Sequence, residues 1–238
     1  MRILCLQHAS VEHAGSLRSL VAQDGHELVA VELDEGEALP SLDGFDALWV
    51  MGGPMDVWEE DLHPWLIGEK ALIREAVLGR SLPFLGLCLG HQLLGEALGG
   101  KVGLAKTPEI GVSSVDLTAA GQTSGFFYGV PDRFEVLQWH SAEILELPDG
   151  AVPLAHSQAC RHQAISYGNH AFSAQFHVEI EPETVKNWAG ISAYKEALEK
   201  AMGDGAVARL DQECAMKMKQ FNEMAARLYA NWVSRITP

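Results

Sequence analysis

The sequence predicts an α/β fold in which a mostly parallel sheet carries helices on both faces. Three short apolar runs, at residues 3–6, 47–51 and 83–87, lack alternation and are typical of parallel strands buried on both faces. Segments with apolar residues at helical spacing separate strands of this kind, which indicates crossover helices. With 238 residues the chain can bury a large core. We therefore expect a single domain over residues 1–238.

The first hundred residues supply the parallel part of this sheet. Proline is tolerated in the first turn of a helix, and a glycine pair stops one. In chain order we predict a strand at 3–6, a helix at 12–23, a strand at 28–33, an acidic loop at 34–43, a strand at 47–51, a helix from about Pro64, a strand at 83–87 and a helix from Gly90 that ends at Gly99 and Gly100.

The middle of the chain has a different pattern. Four β-like runs, at residues 112–117, 134–139, 164–167 and 171–176, are separated by Gly, Pro and Asp. We interpret them as antiparallel additions to the same sheet.

Residues 182–238 are predicted to be mostly helical. Their apolar side chains recur every three or four residues, which is typical of one helix face. We interpret this face as packed on the chain's own core, and a surface for docking a partner is the alternative. The face consists of Val207, Leu210, Cys214, Met218, Phe221, Met224, Leu228 and Trp232.

Composition excludes several classes of partner. The 17 basic and 32 acidic residues give a net charge of −15, which repels nucleic acid and anionic lipid. No apolar run reaches the length that crosses a bilayer, and residues 1–8 read as a strand and not as a signal peptide. The four cysteines lie far apart without Cys-x-x-Cys spacing, so we expect no metal site, no disulfide and a reducing cytoplasm.

Cys88 occupies the corner between the strand at 83–87 and the following helix. Gly86 and Gly90 flank it at two positions on each side, which has the form of a nucleophile elbow. The amides and dipole of the helix N-terminus favour a thiolate over a thiol. A buried core cysteine is the ordinary alternative, but the two glycines and the strand-to-helix corner favour a nucleophile.

Gly52, Gly53 and Pro54 follow the third strand and are expected at the same edge of the sheet as Cys88, since ligands bind at the carboxyl ends of parallel strands. The Gly53 amide and the amide of Leu89, the residue after the nucleophile, would form an oxyanion hole. Taken alone, the Gly-Gly-Pro sequence is a tight turn.

His177 and Glu179 are two residues apart in a predicted strand and can therefore share a side. A cysteine nucleophile needs a base, and the base benefits from a carboxylate that fixes its tautomer. A polar pair on a surface strand is the alternative. Among the other histidines, His91 lies in the elbow helix without an expected chemical role, and His140 could line the pocket.

Three motifs together resemble the class I, triad-type glutamine amidotransferases, particularly the free-standing branch similar to GMP synthase. They are Gly52-Gly-Pro54, Gly86-Leu-Cys88-Leu-Gly-His-Gln92 and Gln175-Phe-His177-Val-Glu179, with further landmarks at 108–111 and 138–140. The match runs from about residue 46 to 183. Val178 stands where the family often has Pro. The turn at 139–143 differs from the Asp-bearing turn of synthase-fused relatives, which argues against GMP synthesis.

The resemblance implies a flavodoxin-like fold and a single amidotransferase domain with a helical segment from about residue 182. It implies a Cys88–His177–Glu179 triad, an oxyanion hole at Gly53 and Leu89, and no cofactor. It also implies that the substrate contacts lie at Gly52, Gln92, Trp139, His140 and Ser141.

Three functions remain open at this point. The first is hydrolysis of the glutamine γ-amide through a cysteine thioester, or of a γ-glutamyl peptide or conjugate by the same chemistry. The second is an amidotransferase chain that becomes active only with a separate synthetase partner, and the third is an elbow-type hydrolase of esters or small acids. Assembly as a homo-oligomer is also left open.

Overall fold

The computed structural model describes residues 1–236, in which nine strands form one sheet. The strands are β1 (Arg2–Gln7), β2 (Glu27–Glu32), β3 (Ala47–Val50), β4 (Phe84–Leu87), β5 (Lys101–Leu117), β6 (Arg133–Glu146), β7 (Ala151–His156), β8 (Ala164–Tyr167) and β9 (Ala171–Ala174). Their order across the sheet is β2-β1-β3-β4-β9-β8-β7-β5-β6. Pairing is parallel from β2 to β9 and antiparallel from β9 to β6. The predicted α/β sheet with antiparallel additions is confirmed.

Helices cover both faces of the sheet. They are α1 (Leu17–Gln23), α2 (Trp65–Arg74), α3 (Leu89–Ala97), α4 (Ala119–Thr123), α5 (Thr184–Trp188), α6 (Ser192–Met202) and α7 (Ala206–Ile236). Side chains of β1 alternate between the faces, so that Ile3 and Cys5 pack with α1 and α7 while Leu4 and Leu6 pack with α2 and α3. Each apolar run of the parallel strands therefore serves two cores.

The first helix is shorter than predicted. It begins at Leu17 and not at residue 12, because residues 12–16 form turns against the segment that follows β9. The Ser16 amide donates to the Glu179 carbonyl oxygen at 2.7 Å. Gly15 has φ +48°, and a Cβ there would collide with that same carbonyl oxygen.

The antiparallel half is more extensive than predicted. β5 and β6 extend well beyond the predicted runs at 112–117 and 134–139, and β7 was not predicted. Most of β5 is partly exposed, and it contains glycines and a proline, so it carries little of the apolar signal that identifies a strand. β9 ends at Ala174, two residues before the predicted end.

The apolar face of α7 packs on the chain's own core. Phe221 and Trp232 are buried, and the Trp232 indole N–H donates to the Phe84 carbonyl oxygen at 3.0 Å. The interpretation of this face as a partner-docking surface is therefore wrong. Residues 237–238 of the predicted helical segment lie outside the described residues. Among the described residues, no helix combines the length and apolarity that a membrane crossing requires.

The connection from β4 to α3 is the most tightly constrained turn of the fold. Cys88 has φ 52° and ψ −103°, a conformation that side chains rarely adopt. A Cβ on Gly86 would lie 2.6 Å from the Gly90 carbonyl oxygen, and a Cβ on Gly90 would collide with the Val50 carbonyl oxygen of β3. The predicted need for glycine at both positions follows from this close approach of helix and strands.

Substitutions on opposite faces of α7 will test its packing. Phe221→Ala removes a fully buried ring and should lower the free energy of unfolding by about 3–5 kcal/mol. Met216 is 74% exposed on the same helix, so Met216→Ala should change the free energy of unfolding by less than about 0.5 kcal/mol. Urea denaturation of both variants measures the difference, and equal small effects would contradict the packing of this face.

Two helical glycines provide a matched test of the elbow. Gly90→Ala should destabilise the protein by about 1–3 kcal/mol, because the new methyl group meets backbone that cannot move without shifting β3. Gly68→Ala places a methyl group against only the end of the Leu39 side chain, at 3.0 Å, and should be neutral or stabilising by up to about 1 kcal/mol. Thermal and urea unfolding compare the two, and a Gly90→Ala protein as stable as the unmodified chain would refute the constraint.

Candidate active site

A cleft with a free volume of about 330 Å³ lies at the carboxyl edge of the parallel strands. Its walls include Cys88 and six of the residues predicted for the site, namely Gly53, Leu89, Gln92, Trp139, His140 and Ser141. Five further residues, Pro54, Met55, Asp56, Ala142 and Tyr194, complete the lining.

Cys88 lies at the floor of the cleft, where its side chain is nearly buried. Its amide donates to the Ala174 carbonyl oxygen at 2.9 Å, which ties the elbow to the end of β9. Gln175 Nε2 lies 3.6 Å from the Cys88 sulfur and donates to it. The elbow therefore presents a sulfur that already has one hydrogen-bond donor beside it.

His177 and Glu179 follow β9 in extended chain and not within a strand. The His177 backbone pairs with Leu137 of β6 through two hydrogen bonds of 2.9 and 3.0 Å. Its Nδ1 lies 2.6 Å from Glu179 Oε1, and the second carboxylate oxygen accepts from the Val178 amide at 2.9 Å. The Trp188 ring packs edge-on against the imidazole, with 4.6 Å between the two ring centroids. Backbone, carboxylate and ring contacts together fix the orientation of this imidazole.

The electrostatics of this pair favour an imidazolium. Burial alone would lower the pKa of His177, but the Glu179 charge and hydrogen bonds to Cys88 and Glu179 raise that pKa well above its ordinary value. Burial opposes ionisation of Glu179 too, yet the charge of His177 and its hydrogen bond lower the pKa of this carboxyl. Because Glu179 occupies Nδ1, the other ring nitrogen is the one that faces Cys88. The structure thus brings together the three side chains of the predicted triad.

The two backbone amides predicted for the oxyanion hole border the same cleft. Within residues 1–236, neither the Gly53 nor the Leu89 amide has a hydrogen-bond acceptor in the protein. Both amides are therefore unpaired where the chain borders the cleft. Gly52, predicted as a substrate contact, does not line the cleft. It lies behind the wall, where the Glu12 carboxylate packs directly against it and His177 Cε1 would be 3.5 Å from an added Cβ.

The predicted substrate contacts differ in how freely they face the cleft. Gln92 uses its amide nitrogen within the protein, donating to the Ala142 carbonyl oxygen and to Gln175 Oε1, each at 3.1 Å. His140 Nδ1 donates to the same Ala142 carbonyl oxygen at 3.0 Å. Among the described residues, the buried Trp139 indole N–H has no acceptor, and Ser141 is exposed at the rim. Ser141 thus retains a polar group for a ligand, whereas the indole N–H of Trp139 is buried and unpaired.

Sequence reasoning missed five side chains around this site. Gln175 stands in a quoted motif, and its spacing of two from His177 could have placed it on the same side. His8 directly follows β1 at the carboxyl edge, the position where ligand-binding residues gather. Glu12, Glu69 and Tyr194 have no sequence signal, since loop folding and helix packing alone bring them to the site.

Glu12 and Tyr194 form a buried polar pair beside the triad. Burial raises the pKa of Glu12, with His177 and a hydrogen bond from Tyr194 acting against it. Burial and the neighbouring Glu12 raise the pKa of Tyr194 well above its ordinary value. Neutral forms of both groups are therefore favoured next to the imidazole.

His91 has no contact with the cleft and is bound on both ring nitrogens, to Ser173 Oγ at 2.9 Å and the His162 carbonyl oxygen at 2.8 Å. Burial lowers its pKa to about 3, so it is a neutral structural residue. In the described part of the chain, no group of three or more His, Cys, Asp or Glu side chains is arranged to hold a metal ion.

Comparisons with known proteins agree on one family. The family model of class-I glutamine amidotransferases matches residues 11–189. The glutamine amidotransferase-like protein YfeJ of Salmonella typhimurium is 33% identical over 227 residues, covering 94% of this chain and 93% of that protein. Gamma-glutamyl peptidase 5 of Arabidopsis thaliana is 29% identical over 170 residues, 69% of this chain and 66% of that protein.

A curated relative and a solved structure show the same similarity over most of the chain. One subunit of the glutamine-hydrolysing GMP synthase of Sulfolobus acidocaldarius is 29% identical over 178 residues, covering 73% of this chain and 89% of that protein. The solved structure of a glutamine amidotransferase from Thermotoga maritima is 31% identical, with a TM-score of 0.85 over 98% of each chain. The fold is therefore flavodoxin-like, as the resemblance implied, and this chain belongs to the class-I glutamine amidotransferase family.

Proposed function

We propose that this protein hydrolyses the γ-amide of glutamine through a thioester on Cys88. The observation that carries the proposal is the arrangement around the sulfur. On one side stands an imidazole whose Nδ1 is held by Glu179, and on the other stand the two unpaired amides of Gly53 and Leu89. A nucleophile at a cleft, a base beside it and an oxyanion site are the parts that acyl transfer requires.

The first half of the reaction forms the thioester. His177 accepts the proton of Cys88, and the resulting thiolate attacks the γ-carbonyl carbon of glutamine. The negative oxygen of the tetrahedral intermediate accepts hydrogen bonds from the Gly53 and Leu89 amides. His177, now an imidazolium, gives its proton to the amide nitrogen, the carbon–nitrogen bond breaks, and ammonia leaves.

The second half restores the enzyme. A water molecule gives a proton to His177 and attacks the thioester carbonyl carbon. The oxyanion that forms again accepts hydrogen bonds from the Gly53 and Leu89 amides. The carbon–sulfur bond then breaks, glutamate leaves, and the sulfur regains the proton from His177. Glu179 keeps the imidazole in one tautomer throughout both halves. The chain's own residues supply every proton transfer in this scheme.

A substrate panel tests the activity. Purified protein should release ammonia from glutamine, and Cys88→Ala should reduce the rate by at least about 10³-fold, since the nucleophile and the acyl intermediate are lost. Cys214→Ala, which alters a buried cysteine of α7 that does not line the cleft, is the matched control and should retain the rate. Asparagine and γ-glutamyl dipeptides complete the panel, and release of ammonia from glutamine by Cys88→Ala at the rate of the unmodified protein would contradict the proposal.

Hydrolysis of γ-glutamyl peptides is the second candidate, favoured by the similarity to a gamma-glutamyl peptidase. The chemistry of Cys88 is the same, and only the leaving group differs. In the panel, faster release of amino acids from γ-glutamyl dipeptides than of ammonia from glutamine would favour this function.

Dependence on a separate synthetase chain is the third candidate, favoured by the similarity to one subunit of a GMP synthase. Turnover of glutamine by the isolated chain would count against it. Inactivity of a monodisperse, folded chain towards the whole panel would favour it.

The pH profile tests the role of Glu179. Because Glu179 raises the pKa of His177, the imidazolium that protonates the leaving group persists to higher pH. Glu179→Gln should lower that pKa and move the alkaline limb of kcat/KM to lower pH, with a fall in kcat/KM on the order of 10²- to 10⁴-fold. Glu183→Gln changes an exposed carboxylate on the same segment and should leave the profile unchanged. An alkaline limb that stays in place in Glu179→Gln would contradict the role.

A further inference from the structure

His8 and Glu69 form a buried pair that the steps above do not use. His8 follows β1, Glu69 lies within α2, and both side chains are fully buried. The His8 Nε2 atom lies 2.9 Å from Glu69 Oε1. Among the described residues, Glu69 Oε2 has no hydrogen-bond partner. A buried ionisable pair that is incompletely hydrogen-bonded contributes little to stability, which leaves its presence in the core to be explained.

The other ring nitrogen of His8 identifies what the pair holds. His8 Nδ1 lies 3.0 Å from the Gly52 carbonyl oxygen. A carbonyl oxygen only accepts, so Nδ1 carries a proton and donates it. Nε2 is bonded to Glu69 whether the proton between them belongs to the imidazole or to the carboxyl group. In both cases Nδ1 carries the proton and donates it to the Gly52 carbonyl oxygen.

The peptide unit between Gly52 and Gly53 transmits this contact to the cleft. The described chain contains no cis peptide bond, so the Gly52 carbonyl and the Gly53 N–H point in opposite directions. A carbonyl turned toward His8 therefore turns the Gly53 N–H away from His8. His8 packs on this peptide directly, because a Cβ on Gly53 would lie 2.7 Å from His8 Cβ and 2.8 Å from Leu89 Cδ2.

A peptide between two glycines lacks the side chains that usually restrict rotation of the backbone. It can adopt two orientations, of which one presents an N–H to the cleft and the other presents a carbonyl oxygen. We propose that His8, held by Glu69, is a positioning residue that fixes the Gly52–Gly53 peptide with the Gly53 N–H toward the oxyanion. This inference rests on the proposed acyl-transfer function.

We call this hydrogen bond from His8 to the Gly52 carbonyl oxygen the clamp, and two effects would follow from it. The Gly53 donor would be in place before the tetrahedral intermediate forms, which is the condition for effective oxyanion stabilisation. The hydrogen bond to Gly52 would also polarise the peptide and strengthen the Gly53 N–H as a donor. Binding of the ground-state substrate gains little from either effect, so losses should appear in kcat and not in KM.

Substitutions of His8 separate positioning from a structural role. His8→Leu should lower kcat for glutamine about 10- to 100-fold, somewhat less than the loss of a whole oxyanion donor, with KM within about threefold. His8→Asn places an amide N–H near the position of Nδ1 and should recover part of the loss. His170→Leu removes another histidine bonded to a carbonyl oxygen, that of Val77, at the opposite edge of the sheet, and should leave kcat unchanged.

Alkylation of Cys88 by iodoacetamide provides the second readout, followed by mass spectrometry of the Cys88 peptide. This displacement at carbon forms no oxyanion, so it reports on the sulfur and not on the Gly53 amide. His8→Leu should alkylate at a rate within about threefold of the unmodified protein. An unchanged kcat, or an equal loss of kcat and alkylation rate, would overturn the proposal.

Further measurements apply if His8→Leu does not fold or if the unmodified protein is inactive. If His8→Leu does not fold, His8→Phe keeps a ring at this position without the N–H donor and should still lower kcat at unchanged alkylation, whereas an unchanged kcat overturns the proposal. If the unmodified protein turns over no member of the substrate panel, the proposed function fails. Crystal structures of the unmodified and His8→Leu proteins then test whether His8 fixes the peptide. The same orientation of the Gly52–Gly53 peptide in both structures would overturn the proposal.

Discussion

The strained backbone at Cys88 is the constraint on which the rest of the site depends. A residue with φ 52° persists only where its surroundings leave it no alternative. Here β4 lies between two parallel neighbours, and α3 crosses β3 so closely that Gly90 touches the Val50 carbonyl oxygen. The position of the sulfur is therefore set by a sheet and a helix and not by a loop, which is what a nucleophile with fixed partners requires.

The imidazole of His177, which we propose as the base, comes from a different part of the chain, and the segment that carries it is fixed at three points. Ala174 binds the Cys88 amide, His177 pairs with Leu137 of β6, and the Glu179 carbonyl oxygen accepts from Ser16. These contacts join the parallel strands, the antiparallel strands and the N-terminal loop. The antiparallel half of the sheet, which has little apolar signal of its own, thus holds the imidazole at its distance from the elbow.

Local patterns predicted much of this arrangement and failed where tertiary contacts decide. The apolar runs of β1, β3 and β4 identified their strands because burial on both faces requires such runs. Cys88 and His177 stand out as candidates because the chemistry proposed for them needs particular neighbours in sequence. Residues 12–16 were assigned to a helix because nothing local shows that Gly15 must pack against Glu179. Glu69 reads as one polar residue of an amphipathic helix, and only the packing of α2 on β1 brings it to His8.

The site contains two His–Glu pairs, and in each of them the glutamate acts to raise the pKa of the histidine. Glu179 stabilises an imidazolium at the leaving-group side, while Glu69 acts against the burial that would lower the pKa of His8, so that this pKa is raised. Burial raises the pKa of the nearby Glu12, whereas His177 lowers that of Glu179, so only one of these two carboxyls favours ionisation beside the base. In the proposed reaction, a neutral Glu12 would avoid a second negative charge beside His177. In a chain of net charge −15, this arrangement leaves a single carboxyl that favours ionisation beside the His177 imidazole.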